Sequence, residues 1–133
     1  MNALNKYNYN ISIKMPFLYL LVERLEEVCD EYRYICEYLY ENKKIKLGKE
    51  IIKFYEDINE FLHLFYDCYY KEFDEERTTK SKELHDKLWK DSHRIVKKIK
   101  KPEEFIIIHH LMNLTDKIYE AISPTFAIRN KQV

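Results

Sequence analysis

The 133-residue chain carries 23 basic and 23 acidic residues, so its formal net charge is zero. Such a balance sets up no overall field toward a polyanion, and an apolar share of 46% excludes a disordered chain. One glycine, Gly48, and three prolines, Pro16, Pro102 and Pro124, are too few turn formers for a sheet protein of this size. Long helices joined by short polar loops need fewer, and the chain length fits one domain.

Residues 1–15 (MNALNKYNYNISIKM) are rich in Asn and Tyr and are read as a flexible arm. They lack the continuous apolar stretch of a secretory signal. Pro16 then suits a first helical turn, where a missing N–H costs little. The first helix is predicted over residues 16–41, on the stripe Leu18, Leu21, Leu25, Val28, Tyr32, Ile35 and Leu39. Alternating gaps of three and four are the mark of a helix packed along its whole length. The turn follows at Asn42-Lys43-Lys44 and Gly48.

The second helix is predicted over residues 49–73, with Ile51, Tyr55, Ile58, Leu62, Phe65 and Tyr69 inward. A charged connection follows, in which Thr78 or Thr79 is the expected cap. The third helix, over residues 80–100, has the stripe Leu84, Leu88, Ile95 and Ile99, interrupted by His85 and Ser92. Being the least apolar, it is expected to face outward most. Lys101-Pro102-Glu103-Glu104 opens a fourth helix, with proline at the first position and acids against the dipole. Ile107, Leu111, Leu114, Ile118 and Ile122 form its stripe, and Ser123-Pro124 is expected to end it. The expected architecture is all-α: an antiparallel up-down-up-down four-helix bundle over residues 16–122, with a short tail over residues 123–133.

The chemistry legible in the chain is sparse. The longest apolar run, Phe17 to Val22, is far short of the ~20 residues that cross a bilayer, so no integral membrane segment is expected. Cys29 and Cys36 would lie roughly 10 Å apart along a helix, too far for a mutual disulfide. With Cys68 they are expected to be reduced and buried, which points to an intracellular origin. Glu60 and His63 have the spacing that dinuclear carboxylate bundles use, but such centres need a second pair and this chain has none. His85, His93, His109 and His110 supply no metal-binding pattern. One glycine cannot build a phosphate-cradling loop or a nucleophile elbow. No catalytic residue, metal ligand or cofactor is therefore expected, and the chain is read as a non-enzyme.

Charge and tyrosine point outward. Residues 17–76 hold 8 basic and 16 acidic side chains, net −8, whereas residues 77–102 hold 10 basic and 3 acidic, net +7. Arg94, Lys97, Lys98, Lys100 and Lys101 crowd the end of the third helix. Three readings follow: an internal acid–base match, contact with a nucleic-acid backbone, or one copy's basic face meeting the acidic face of the next. Twelve tyrosines are also an unusual share. Tyr19, Tyr34, Tyr38, Tyr40, Tyr66 and Tyr70 lie off the core stripes, and tyrosine is enriched where one end of a ring is dry and the other wet.

In whole-chain character the sequence resembles the major coat proteins of tailed spindle-shaped archaeal viruses. The likeness lies in the polar arm before Pro16, the four long stripes, the single glycine and the Lys/Ile/Tyr/Glu-rich composition. The resemblance implies a four-helix bundle that self-assembles into a virion shell, residing in the host cytoplasm before assembly. It assigns no individual functional residue. The expected partner is a second copy of the chain, with weak nucleic-acid contact through the basic patch as a further expectation. The alternatives are a small helical nucleic-acid-binding subunit of a CRISPR-type nucleoprotein complex and a metal-dependent bundle enzyme using Glu60 and His63.

Overall fold

The computed structural model describes the backbone of residues 3–129 and the side chains of residues 12–129. Four helices follow one another: α1 (Ala3–Glu41), α2 (Lys49–Tyr70), α3 (Glu75–Lys98) and α4 (Pro102–Arg129). No strand occurs among the described residues. The fold is an all-α four-helix bundle.

The expected stripes account for much of the core. Leu21, Val28 and Ile35 of α1 and Ile107, Leu111, Leu114, Ile118 and Ile122 of α4 are all buried. On α2 the buried line is Ile51, Phe54, Ile58, Phe61, Phe65 and Cys68. It is rotated from the expected one: Tyr55 is exposed, and Leu62 and Tyr69 are only partly covered. Sequence could not settle the choice, because both faces of α2 are apolar at heptad spacing. On α3 the buried line is Ser81, Leu88, Ser92 and Ile95. The serines do not break this face. Each hydroxyl donates to a carbonyl three residues back, Ser81 to Thr78 at 2.8 Å and Ser92 to Trp89 at 2.6 Å. A small, internally satisfied side chain there lets α3 approach its neighbours without an orphaned donor.

Helix ends depart from expectation in three places. The expected flexible arm is helical from Ala3, and α1 runs through Pro16. A proline there removes the bond to the Ser12 carbonyl, a loss of up to about 3 kcal/mol in a helix interior. The expected tail is also helical as far as Arg129, through Pro124. Packing explains that end: Pro124 is itself buried, as are Ile122 and Thr125, and Thr125 donates to the Ala121 carbonyl at 2.8 Å. Beyond it, Phe126 meets Phe73 edge-on at 5.6 Å. Finally, α3 begins at Glu75, and its cap is Asp74 rather than Thr78 or Thr79. The Asp74 carboxylate accepts from the Glu76 N–H at 3.0 Å.

Packing is unequal around the bundle. α4 touches all three other helices, and α2, α3 and α4 form a closed triangle. The backbone of α1 approaches that of α4 alone; none of its Cα atoms comes within 8 Å of α2 or α3 among the described residues. The α1–α4 seam is antiparallel and charged along one edge. Arg24 meets Glu120 at 3.5 Å, Lys117 meets Glu27 at 3.1 Å and His110 meets Glu31 at 2.9 Å. The α2–α3 seam is antiparallel too, with Glu50 between Arg94 and Lys98. Near its middle, the buried Asp57 is held by Lys53 at 2.7 Å and faces Lys87 at 3.9 Å. The peripheral helix is therefore α1 and not the basic α3. Charge on α3 is absorbed sideways by α2, which lets a weakly apolar helix sit inside the triangle.

This arrangement predicts two different costs for the same truncation. Leu114, fully enclosed on α4, should lose about 3 kcal/mol on Leu114→Ala. Leu18 on α1, 42% exposed, should lose less than about 1 kcal/mol. Urea denaturation of the two variants at one protein concentration measures the difference.

Candidate association surfaces

The open edge of the bundle lies between α1 and α2. Buried positions on α1 recur every seven residues, which leaves a second line one step round the helix. That line is Leu18, Val22, Leu25, Cys29, Tyr32 and Cys36, with gaps of four and three. Leu18, Val22, Cys29 and Cys36 are exposed, and Leu25 and Tyr32 are partly covered. α2 carries the counterpart: Ile52, Tyr55, Leu62, Tyr66 and Tyr69, of which Ile52, Tyr55 and Tyr66 are exposed. Two apolar lines thus flank a furrow that the backbones are too far apart to close.

One polar contact forms its floor. The Tyr32 hydroxyl donates to Asn59 Oδ1 at 3.2 Å, a direct side-chain bridge between α1 and α2. Burial pushes the Tyr32 phenol up to about 12, so it stays protonated and able to donate throughout the physiological range. Outside the apolar lines lie carboxylates: Glu26, Asp30 and Glu37 on α1, and Glu56, Glu60 and Asp67 on α2. Cations offset part of that rim: Arg33 is shared with Asp30 at 3.3 Å and Glu37 at 3.8 Å, Lys71 reaches Asp67 at 3.5 Å, and Lys53 lies near Glu56 and Glu60. The furrow is apolar inside and acidic at its lips.

The sequence-predicted tyrosines do not gather into one patch. Tyr66 and Tyr70 do meet, ring to ring at 4.4 Å, with Tyr69 edge-on to Tyr70 at 4.8 Å. They cap the furrow at the end of α2. Tyr19 is 74% exposed on the outer side of α1. Tyr40 lies at the other end of the molecule against the Lys43 ammonium, 4.6 Å from its ring centre. Tyr34 faces the α4 side, 5.6 Å from the His110 ring. Tyr38 is partly buried against the core, so it packs rather than presents a surface.

The basic patch is also rearranged. Arg94 and Lys98 both reach Glu50, at 3.2 and 3.4 Å, and Arg94 reaches Asp91 at 3.7 Å. These two cations serve the α2–α3 seam. Lys97, Lys100 and Lys101 remain exposed. The α1–α2 loop brings Lys43, Lys44 and Lys46 to the same end as Lys101, around an open groove of about 730 Å³ that Glu41, Glu103 and Glu104 also line. Separation along the chain hid this grouping; only folding brings the two loops together.

Glu60 and His63 both project to solvent, and no group of three His, Cys, Asp or Glu side chains able to hold a metal occurs among the described residues. His85 lies flat on Tyr119, with ring centres 4.0 Å apart and planes 12° apart, and its Nε2 is 3.2 Å from Asp116. It fastens α3 to α4. Among the described residues, no helix is long and apolar enough to cross a membrane. Of the three thiols only Cys68 is buried, a correction to the expectation for Cys29 and Cys36. No protein-family model matches the chain, and neither the curated proteins nor the solved structures yield a match.

The thiols should differ in reactivity. Burial pushes the Cys68 thiol up to about 11, whereas Cys29 and Cys36 face outward. In protein dilute enough to be monomeric, an aromatic disulfide reagent at neutral pH should label Cys29 and Cys36 rapidly and Cys68 only after denaturation. Glu27 should make the α1–α4 seam sensitive to acid. Desolvation pushes its carboxyl up, but hydrogen bonds from Lys117 and Arg24 outweigh it and hold the net value below the ordinary one. A depressed carboxyl stabilises the fold above its unfolded value of about 4.3. That contribution fades as pH falls through the lower folded value. Glu27→Gln should therefore cost up to about 1 kcal/mol at pH 7, and the gap to the parent should close in the acid range. Thermal melts of both proteins across that range measure it.

Proposed function

We propose that this chain is a structural subunit that assembles with copies of itself. The carrying observation is the furrow between α1 and α2. A small bundle normally closes its helices around one core, and this one leaves Leu18, Val22, Ile52, Tyr55 and Tyr66 of two aligned apolar lines exposed, rimmed by carboxylates. Contiguous exposed apolar surface of this kind marks association. What supports a structural role over catalysis is where the chemistry lies: histidines and carboxylates are spent on helix seams, as in His110–Glu31 and Lys117–Glu27. The likeness in whole-chain character to coat proteins of tailed spindle-shaped archaeal viruses gives the assembly a form, a shell of repeated bundles.

A second reading rests on the lysine-lined end. Lys43, Lys44, Lys46 and Lys101 converge on one groove, and exposed lysines so placed can follow a phosphate backbone. Such contact would serve a shell subunit facing a genome or a small subunit of a nucleoprotein complex.

Light scattering from low micromolar to millimolar protein, with negative-stain microscopy, tests the first reading. Concentration-dependent oligomers or regular particles are expected; a monomer at every concentration and salt sinks it. For the second, charge reversal of Lys43, Lys44, Lys46 and Lys101 should abolish a low-salt shift of duplex DNA. Reversal of Arg94 and Lys98 should instead destabilise the fold.

A further inference from the structure

α1 is longer than the bundle it joins. Arg24 beside Glu120 and Glu27 beside Lys117 fix its register on α4. With equal rise along both helices, Arg129 lies level with about residue 15 of α1. By the same count from Tyr32 and Asn59, the end of α2 lies level with about residue 21. The segment Ala3–Lys14 therefore continues past the described bundle as an overhang of roughly 18 Å. An isolated helix of that length is marginal in water, so a helix there calls for a surface to lie on.

Sequence and charge identify that surface. Leu4, Ile11, Leu18, Leu25 and Tyr32 recur every seven residues, so the heptad pattern of the furrow side of α1 continues into the overhang. The overhang carries Lys6 and Lys14 and no acid, whereas the furrow is lipped by Glu26, Asp30, Glu37, Glu56 and Glu60. The same furrow on another molecule, taken without the overhang, would set acid against acid.

Resting on the self-assembly reading above, we infer that two copies pair through antiparallel α1 helices, each overhang lying in the other copy's α1/α2 furrow. The contact is two-fold and self-completing. In the register that aligns the apolar lines, Leu4, Ile11 and Leu18 of one copy lie level with Cys36, Cys29 and Val22 of the other. That register also sets Lys14 level with Glu26. Pro16 falls where the overhang leaves its own bundle.

Engineered thiols test the pairing directly. The full-length chain with Ile11→Cys and Cys36→Ser is oxidised with copper phenanthroline and sized under denaturing conditions. A disulfide-linked dimer is expected, and further substitution Cys29→Ser should remove it. In parallel, Lys14→Glu should weaken the dimer about tenfold, and Glu26→Lys in the same chain should restore it. If light scattering shows oligomers but the link between position 11 and Cys29 does not form, or a linked dimer forms without Cys29, this interface is wrong while self-assembly stands. Lys14→Glu chains that dimerise as the parent does also overturn it. If the parent is monomeric throughout, the self-assembly reading falls and the pairing falls with it.

Discussion

The bundle depends on α4 being buried along most of its length against three partners. Ile107, Ile108, Leu111, Leu114, Ile118, Ala121 and Ile122 are each about 2% exposed or less. They span an arc broad enough for α1 on one side, α2 in front and α3 on the other. Each such Ile or Leu side chain contributes about 1.5–3 kcal/mol on burial, so α4 concentrates the stability of the fold in one helix. The remaining helices need only one good face each. Thr115 and Thr125 can sit in this apolar strip because their hydroxyls donate to carbonyls four residues back, at 2.9 and 2.8 Å.

From that constraint the polar seams follow. Once α4 claims the apolar faces, charged groups are left at the helix margins, where they select neighbours. Lys117, Glu27, Arg24 and Glu120 tie α1 to α4; Glu50, Arg94 and Lys98 tie α2 to α3. Exposed ion pairs add little individually. Their larger effect is on specificity, because a different helix order would leave the acidic α2 and the basic α3 without their matched partners. The excess acid of the first half of the chain and the excess base of the third helix are thus partly an internal fit. What the seams leave over is a furrow rim with more carboxylates than cations and the lysines of the bundle end.

Closeness of α2 to α4 has a consequence for α1. In a square bundle the diagonal helices stay apart. Here α2 and α4 touch across the diagonal, and the backbone of α1 approaches α4 alone, with the Tyr32–Asn59 hydrogen bond as a side-chain bridge to α2. The furrow is the geometric remainder of that shift. It places Leu18, Val22 and Ile52 in water at a cost that association would recover. The proposed self-assembly is therefore a product of unequal packing and not of any special residue.

Helix number and order were legible in the chain, as were the end of α1 and the starts of α2 and α4, since heptad stripes, one glycine and the Pro102-Glu103-Glu104 start constrain them directly. The inward line of α4 was legible for the same reason: one face is unbroken Ile and Leu. On α2, spacing left two apolar faces, and only contact with α3 and α4 decided that Phe54, Phe61 and Cys68 turn inward. Pro16 and Pro124 read as boundaries because local propensity disfavours proline inside helices; for Pro124, burial against the bundle outweighed that propensity. The tyrosines and lysines picked out by composition do not fall into the groups that their order in the chain suggested. Their spacing in sequence carries no information about which loops and ends meet. Tertiary packing alone set Arg94 and Lys98 on Glu50, gathered Lys43, Lys44, Lys46 and Lys101 at one end, and left the α1/α2 edge open. Sequence by itself determined which faces are apolar. Only the tertiary structure decided which of those faces are satisfied, because that depends on how closely the backbones approach.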